Sequence, residues 1–345
     1  MGLLDPNEAL RQKWEGRRPD RPKISLILGL IVSLGFVASG WGAEPAMLRV
    51  NYSAVSGAFA PIWLAQDRGL FTKYGVVVDL KYILPSTATQ ALLSKSLDIV
   101  NPGGEIIEAG LGGEKVVFIA GILNRIVFSL YSKPEILKFS DLRGKVLGVT
   151  QPGSTTDFAA RLLLQEAGMS PGKDVRVLHL KGIPEIMTAL SQGIIDAGII
   201  SAPITLRARQ VGLRELVNIT EKNIPMIHAA FATTREFLKD HPDRVRRFLQ
   251  AYLEGLKMAR SDAEQTKQII GKYTRTTNME DLEETYRTFL PAWEKVPYVP
   301  AAGVQTLLNF ATHPAAPTAK PDQFIDNSFL TELERSGFVE RLYQP

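Results

Sequence analysis

The feature that most constrains the fold is a strand–turn–helix unit that recurs along the chain and is clearest at Gly144–Gly168. Val146–Val149 is a short apolar run between turn residues, which predicts a buried strand. A helical pattern follows, with Ser154, Thr155 and Thr156 as candidates for its N-cap and Gly168 as its stop. A helix start leaves backbone N–H groups free, so this turn suits a polar or anionic ligand head. An ordinary capped turn of an α/β fold has the same pattern, and that alternative stays open.

The unit repeats often enough to predict an α/β protein with parallel sheets and short loops. From Arg235 onward the pattern is helical and ends in a helix at Asn327–Leu342. We expect two α/β lobes, the first discontinuous at residues 46–124 plus 227–345 and the second at 125–226. Strands are predicted at Leu48–Tyr52, Val76–Ile83, Asp98–Val100, Val116–Ala120, Ile126–Tyr131, Val146–Val149, Val175–Leu180, Ile194–Ile200, Leu216–Ile219 and Met226–Thr233.

The composition excludes several classes of function. The chain has no cysteine, which excludes disulfides, cysteine–zinc sites, thiol nucleophiles and a lipidated N-terminus. The four histidines are scattered without metal-ligand spacing, so no metal or cofactor is expected and each histidine is interpreted as structural or superficial. A formal net charge of +4 gives no nucleic-acid footprint.

The N-terminus has the pattern of an export signal. A basic stretch precedes the apolar run Ile24–Val37, and small residues follow it. We expect residues 1–43 to be a signal peptide and the mature protein to be periplasmic. An uncleaved membrane anchor is the alternative, although the apolar run is short for a span of about 20 residues.

Five blocks resemble the nitrate/sulfonate/taurine-type periplasmic substrate-binding proteins of ABC importers, a family related to thiamine-pyrimidine synthases. They are Pro61–Leu80, Thr89–Val100, Leu142–Gly168, Ala189–Pro203 and Ala232–Leu253. The resemblance implies a periplasmic-binding-protein type II fold that closes on a small solute, with ABC permease and ATPase subunits as partners. We also expect a monomer and no catalytic residues. One position departs from the pattern, because Ser201 stands where many relatives have the Trp of a Trp-x-Pro motif, so nitrate or taurine specificity does not transfer.

Ligands of open α/β sheets lie beyond the carboxyl ends of the strands. The loops predicted at those ends are rich in Gly, Ser, Thr and Pro and carry no acid–base pair, which favours binding of a polar, anionic solute without catalysis. The candidate ligand-binding residues are Ser56, Gly57, Phe59, Ser86, Thr87, Gly103, Gly104, Arg125, Gly153, Ser154, Thr155, Thr156 and Ser201.

Three readings of the function remain. The first is a solute-binding component of an ABC importer. The second is an enzyme of the thiamine-pyrimidine synthase type, which is disfavoured because that class needs a cysteine-rich motif that this chain lacks. The third is a protein that delivers its ligand to a sensor or another carrier, which the sequence does not separate from import.

Overall fold

The structure has the predicted alternation of strands and helices. The computed structural model describes residues 46–344. Its strands are β1 Ala46–Tyr52, β2 Val76–Tyr82, β3 Val116–Arg125, β4 Ser129–Ser132, β5 Val146–Val149, β6 Arg176–His179, β7 Ala197–Ile200, β8 Arg214–Asn218 and β9 Pro225–Thr234. Its helices are α1 Ala60–Asp67, α2 Leu70–Lys73, α3 Pro85–Leu93, α4 Glu105–Leu111, α5 Thr155–Glu166, α6 Ile183–Ser191, α7 Ile204–Gln210, α8 Arg235–Asp240, α9 Pro242–Ser261, α10 Ala263–Thr274, α11 Met279–Phe289, α12 Ala301–Phe310, α13 Ser328–Arg335 and α14 Phe338–Tyr343.

The first group of strands combines parallel and antiparallel ladders. β1 pairs in parallel with β2 over its whole length, and β3 pairs antiparallel with β9. The segment expected as a strand at Asp98–Val100 joins the two ladders through single bridges, from Ile99 to Val50 and from Val100 to Ala232. The carboxyl ends of β1 and of this bridging segment therefore lie next to each other, beside the middle of β9, which runs in the opposite direction.

The second sheet has five strands in the order β6-β5-β7-β4-β8. β5 is parallel to β6 and β7, whereas β4 is antiparallel to both of its neighbours. The expectation of parallel sheets was therefore wrong for β4 and for β3 with β9. The strand predicted at Ile126–Tyr131 is also shorter, because the Val127 N–H donates to a ring nitrogen of His228 instead of to a neighbouring strand.

The helices after β9 pack on α1, on α2 and on one another, and α12 packs on β9. α9 is 20 residues long and lies against α1, whose Trp63 is fully buried. The two helices approach closely at Gly255, where an added Cβ would overlap the Pro61 carbonyl oxygen. A larger residue at Gly255 would force the helices apart. The predicted last helix is broken into α13 and α14 at Gly337, whose φ is +73°.

The second sheet takes its strands from residues 129–218, and the first group takes its strands from both sides of that segment. The described residues belong to one compact unit, so the predicted lobe boundaries stay a prediction. The predicted signal peptide, residues 1–43, lies outside the described residues. Within residues 46–344, no helix combines the length and apolarity that a membrane crossing requires.

Candidate solute-binding cavity

A cavity of about 270 Å³ lies where the first group of strands and the second sheet face each other. Its lining comes from the loop after β1, the end of β2, the start of α3, the turn between β5 and α5, the start of α6 and the middle of β9. These are the carboxyl ends of strands and the first turns of helices, where α/β proteins bind ligands.

A buried amide network fixes the wall contributed by the first strands. Asn51, at the end of β1, accepts the Asn101 N–H at 2.8 Å and donates to the Ile83 carbonyl at 3.0 Å. Asn101 in turn donates to the Ala230 carbonyl at 2.8 Å, and its side-chain oxygen accepts the Ser53 hydroxyl. Both Asn side chains are buried, and buried polar groups that are fully paired hold neighbouring loops in one arrangement.

The turn before α5 holds three hydroxyl groups that bond to one another. The Thr150 hydroxyl lies 2.8 Å from the Ser154 Oγ and 2.7 Å from the Thr156 Oγ1, and the Thr156 Oγ1 also accepts the Thr150 N–H. Ser154 caps the helix by accepting the Asp157 N–H at 3.3 Å. The capping role expected of Ser154 is thus present, and the hydroxyls of this turn already have partners.

Thr155 ties this turn to β9. Its hydroxyl donates to the His228 carbonyl at 3.1 Å, which joins the start of α5 on the second sheet to the middle of β9. Two other contacts lie close by between the same parts. The Ser86 hydroxyl is 3.4 Å from the Gln151 Oε1, and a Cβ added at Gly104 would lie 2.9 Å from the Gly153 carbonyl oxygen. The starts of α3, α4 and α5 therefore lie close together.

The His228 ring forms part of the cavity lining. Its Nδ1 accepts the Val127 N–H at 3.1 Å, so in the neutral ring the proton is on Nε2. Burial lowers the pKa of His228 to about 4, against a smaller opposing effect of the Arg125 backbone. His228 is therefore neutral at pH 7.

Charge is sparse in the lining, and the helix starts around it are acidic. Lys181 and Glu185 are the charged side chains among the described lining residues, and both are exposed. α4, α5 and α6 each carry a carboxylate in the first turn, from Glu105, Asp157 and Glu185 respectively. Burial raises the pKa of Glu105, which accepts hydrogen bonds from the Gly103 N–H and the Thr89 hydroxyl.

Aromatic rings cover the apolar part of the cavity. Phe59 and Phe128 line it, as does Tyr82, which is 47% exposed. The Phe128 and His228 ring centroids are 4.4 Å apart. Tyr82 at the end of β2 and Glu185 at the start of α6 line the same cavity, and burial together with the negative charge of Glu185 raises the pKa of Tyr82.

The structure divides the thirteen candidate residues into two groups. Those that line the cavity are Ser56, Phe59, Gly103, Ser154, Thr155, Thr156 and Ser201. Those that do not are Gly57, Ser86, Thr87, Gly104, Arg125 and Gly153.

The residues outside the lining have identifiable contacts elsewhere. The Arg125 guanidinium donates to the Pro291 carbonyl and to the Asn223 side chain, so it is held away from the cavity. Gly57 packs against Thr285 of α11, where an added Cβ would overlap that side chain. Thr87 is exposed on α3.

Sequence reasoning missed His228, Tyr82, Phe128, Lys181 and Glu185, which all line the cavity. His228 was grouped with the scattered histidines because its partner Val127 is 101 residues away along the chain. The sequence did contain an indication for Lys181 and Glu185. The segment 181–185 follows the predicted strand Val175–Leu180, just as the candidate turn at 151–156 follows the predicted strand Val146–Val149, so its side chains could have been included among the candidates.

These features, two α/β sheets with a cavity at their facing strand ends, define the periplasmic-binding-protein fold. Three comparisons agree. A Brucella abortus (strain 2308) protein named as a binding protein is 27% identical over 259 residues, 72% of this chain and 78% of its own. The alkanesulfonate-binding protein SsuA from Xanthomonas axonopodis pv. citri, solved with MOPS bound, superposes with a TM-score of 0.67 at 18% identity, covering 83% of this chain and all of its own. The periplasmic nitrate-binding protein NrtA from Synechocystis PCC 6803 superposes with a TM-score of 0.64 at 15% identity, covering 85% of this chain and 89% of its own.

Residues 56–266 match the NMT1/THI5-like family, and the chain belongs to that family. The predicted resemblance and fold class are confirmed. The matched segment contains the whole second sheet and every lining residue except Ser53, Ala54 and Val55.

Proposed function

We propose that this protein is the extracytoplasmic solute-binding component of an ABC importer, and that it holds a small polar solute in the cavity between the two sheets without acting on it chemically. The observation that carries the proposal is the cavity itself, which lies at the strand ends and is lined by hydroxyls, backbone groups and aromatic rings. Among the described lining residues no hydroxyl is hydrogen-bonded to a basic side chain that could activate it as a nucleophile, and those of Thr150, Ser154, Thr155 and Thr156 bond to one another or to a backbone carbonyl.

Closure of two lobes is part of the proposal. The contacts between Thr155 and His228 and between Gly104 and Gly153 join parts that lie on different sheets. A solute that touches both sides favours the arrangement in which these contacts are made, by its difference in affinity for the two states. A permease would then recognise the closed form, and this couples capture to delivery.

The test is recovery of the natural solute. The protein is purified from the periplasmic fraction of its source cells, and mass spectrometry identifies small molecules released on denaturation. Val55→Trp places a large ring in the cavity, and Val211→Trp makes the same change at an exposed site outside it. We expect the solute with the wild type and Val211→Trp but not with Val55→Trp.

Uptake then tests the role in import. Cells that lack the gene should lose uptake of the recovered solute, and Val55→Trp should not restore it. If uptake is unchanged by the deletion, the protein delivers its ligand to a sensor or serves another carrier. If no solute is recovered from any of the three proteins, the proposal of solute binding is wrong.

A further inference from the structure

An ion pair outside the solute-binding cavity joins the second sheet to the helices that follow β9. Glu284 of α11 accepts the Thr205 hydroxyl at 2.8 Å and is bonded to the Arg209 guanidinium. Thr205 and Arg209 lie four residues apart on α7, so they face the same side of that helix. The Arg209 guanidinium also donates to the Tyr131 hydroxyl of β4 at 2.8 Å, which fixes it to the second sheet. We call the bonds of Glu284 to Thr205 and Arg209 the α7–α11 contact.

The charges of the two helices are complementary. α7 carries Arg207 and Arg209, and α11 carries Asp281 one turn before Glu284. Burial and two neighbouring glutamates raise the pKa of Asp281, whereas the charges of Arg207 and Arg209 act in the opposite direction. The side chain of Glu284 is 26% exposed and that of Arg209 is 41% exposed, so solvent screens this pair only in part. The α7–α11 contact therefore combines an ion pair with a second hydrogen bond at a partly buried position.

A polar space lies beside the α7–α11 contact. It is a second cavity, of about 360 Å³, between β8 and α11, and its lining includes Glu215, Asn218 and Thr288. Phe128 and Ser201 line both this cavity and the solute-binding cavity. An open, polar space does not hold its two sides together as a packed core would, which leaves the bonds of Glu284 as a main tie between α7 and α11.

Each of the two helices is attached to a different wall of the solute-binding cavity. α7 follows Ser201, whose carbonyl accepts the Ile204 N–H at 3.0 Å. On α11, Thr285 packs against Gly57, in the loop 56–59 that forms another part of the lining. A change in the distance between α7 and α11 therefore moves Ser201 relative to this loop.

We infer that Glu284 is a positioning residue for solute binding, which acts through α7 and α11 and does not itself line the cavity. Its bonds to Thr205 and Arg209 are made when the walls of the cavity face each other, and they stabilise that arrangement. This inference rests on the proposed function of solute binding with closure. The affinity for the solute then depends on a charged contact outside the cavity, because the contact raises the population of the form that binds.

Two spin labels report the arrangement directly. Ile194, before β7 of the second sheet, and Met279, at the start of α11, are both exposed, and the chain has no cysteine of its own. Ile194→Cys and Met279→Cys therefore carry nitroxide labels at these two positions alone, and pulsed EPR gives the distribution of distances between them. The labelled full chain is freed of solute, and the small-molecule filtrate of heat-denatured wild type is then added in steps. The amount of filtrate at which half of the protein has responded gives the relative affinity.

Variants of adjacent residues separate positioning from a general loss of charge. Glu284→Gln should lower the population with the label distance expected from the structure, and raise the amount of filtrate required, each by about three- to tenfold. Glu283→Gln is the matched control, because Glu283 pairs with Lys267 at 3.0 Å and with Arg287 at 2.7 Å, both on helices after β9. It should change neither quantity. In Arg209→Met the ion pair is already lost, so the addition of Glu284→Gln should have little further effect.

Three results would overturn the inference. The first is the same label distances and the same filtrate requirement in Glu284→Gln and in the wild type. The second is an equal effect of Glu283→Gln, because the loss of any ion pair from α11 would then be sufficient. The third is a lower unfolding free energy of Glu284→Gln with unchanged label distances, which would make Glu284 a structural residue only. A wild type that does not respond to the filtrate would contradict solute binding instead, and the label distances of the solute-free proteins would still test the α7–α11 contact.

Discussion

A single added methyl group at Gly104 should oppose closure of the cavity without disturbing the fold. Gly104 is the N-cap of α4 and has φ −63° and ψ −21°, which alanine adopts freely. The methyl group would lie 2.9 Å from the Gly153 carbonyl oxygen, on the turn that leads to α5. A carbon and an oxygen at that distance overlap, so the two parts must separate by several tenths of an ångström or more. The penalty falls on the state in which Gly104 and Gly153 touch.

The size of the effect follows from that overlap. Overpacking of this kind costs about 1–3 kcal/mol. If the two parts separate when the cavity opens, the cost applies to the closed state alone and reduces its population by about 5- to 150-fold. The apparent affinity for a solute that binds only the closed state falls by the same factor. The unfolding free energy of the empty protein should change little, because the open state escapes the contact.

The assay is calorimetric titration of Gly104→Ala with the solute recovered from the wild type, together with thermal unfolding and small-angle scattering. The matched control is Gly112→Ala at the other end of α4, where φ is −73° and an added Cβ meets only carbonyl oxygens at 3.3 Å and beyond. Gly104→Ala should bind more weakly and keep a larger radius of gyration with solute present. An unchanged affinity, or a loss of thermal stability as large as the loss of binding energy, would refute the reasoning.

Three further predictions concern other contacts. Acidification should destabilise the protein between about pH 6.5 and pH 4, since the unfolded chain then binds a proton that His228 in the folded state does not. At ~1.4 kcal/mol per unit of pKa, the full loss of unfolding free energy is about 3 kcal/mol. Denaturant titrations of the wild type and of His228→Gln over this pH range isolate the contribution of His228. The same dependence of unfolding free energy on pH in both proteins would contradict a neutral ring in the folded state. Thr155→Val should weaken solute binding by about 1 kcal/mol because it leaves the His228 carbonyl unpaired, with Thr155→Ser as the restoring variant in calorimetry. Gly255→Ala should lower the unfolding free energy by about 1–3 kcal/mol through the overlap with Pro61, and a melting temperature equal to the wild type would show that α1 and α9 separate without cost.

Local features of the fold were predictable because they depend on residues close in sequence. Ser154 caps α5 by accepting an N–H three residues on, and Gly168 follows the helix end in a left-handed conformation with φ +62°. The strand Val146–Val149 has the predicted bounds. The direction of a strand was not predictable in this way, because the residues of β4 and β5 do not encode it: only long-range pairing makes β4 antiparallel and β5 parallel to β7.

The candidate site was harder to predict because its side chains are chosen by long-range contacts. Arg125 was a reasonable partner for an anion, but the Pro291 carbonyl, 166 residues further on, holds its guanidinium. The hydroxyls of Ser154 and Thr156 were expected to face a ligand, and the hydroxyl of Thr150 takes up their hydrogen-bonding capacity. Sequence patterns locate turns at strand ends, whereas the hydrogen-bond partners that free or occupy a side chain come from elsewhere in the fold.

His228 takes part both in the contact with the second sheet and in the lining of the cavity. Its carbonyl accepts the Thr155 hydroxyl from the second sheet, while its ring lines the cavity with Nδ1 fixed by Val127. Movement of β9 relative to α5 would therefore change the contact to Thr155 and the position of the ring together. A solute that contacts the ring favours the ring position in which the Thr155 contact is made, and by reciprocity that contact raises the affinity for the solute. If the cavity closes on its solute as proposed, recognition and closure then depend on the same residue, so variants of Thr155 that leave the ring untouched should still change solute affinity.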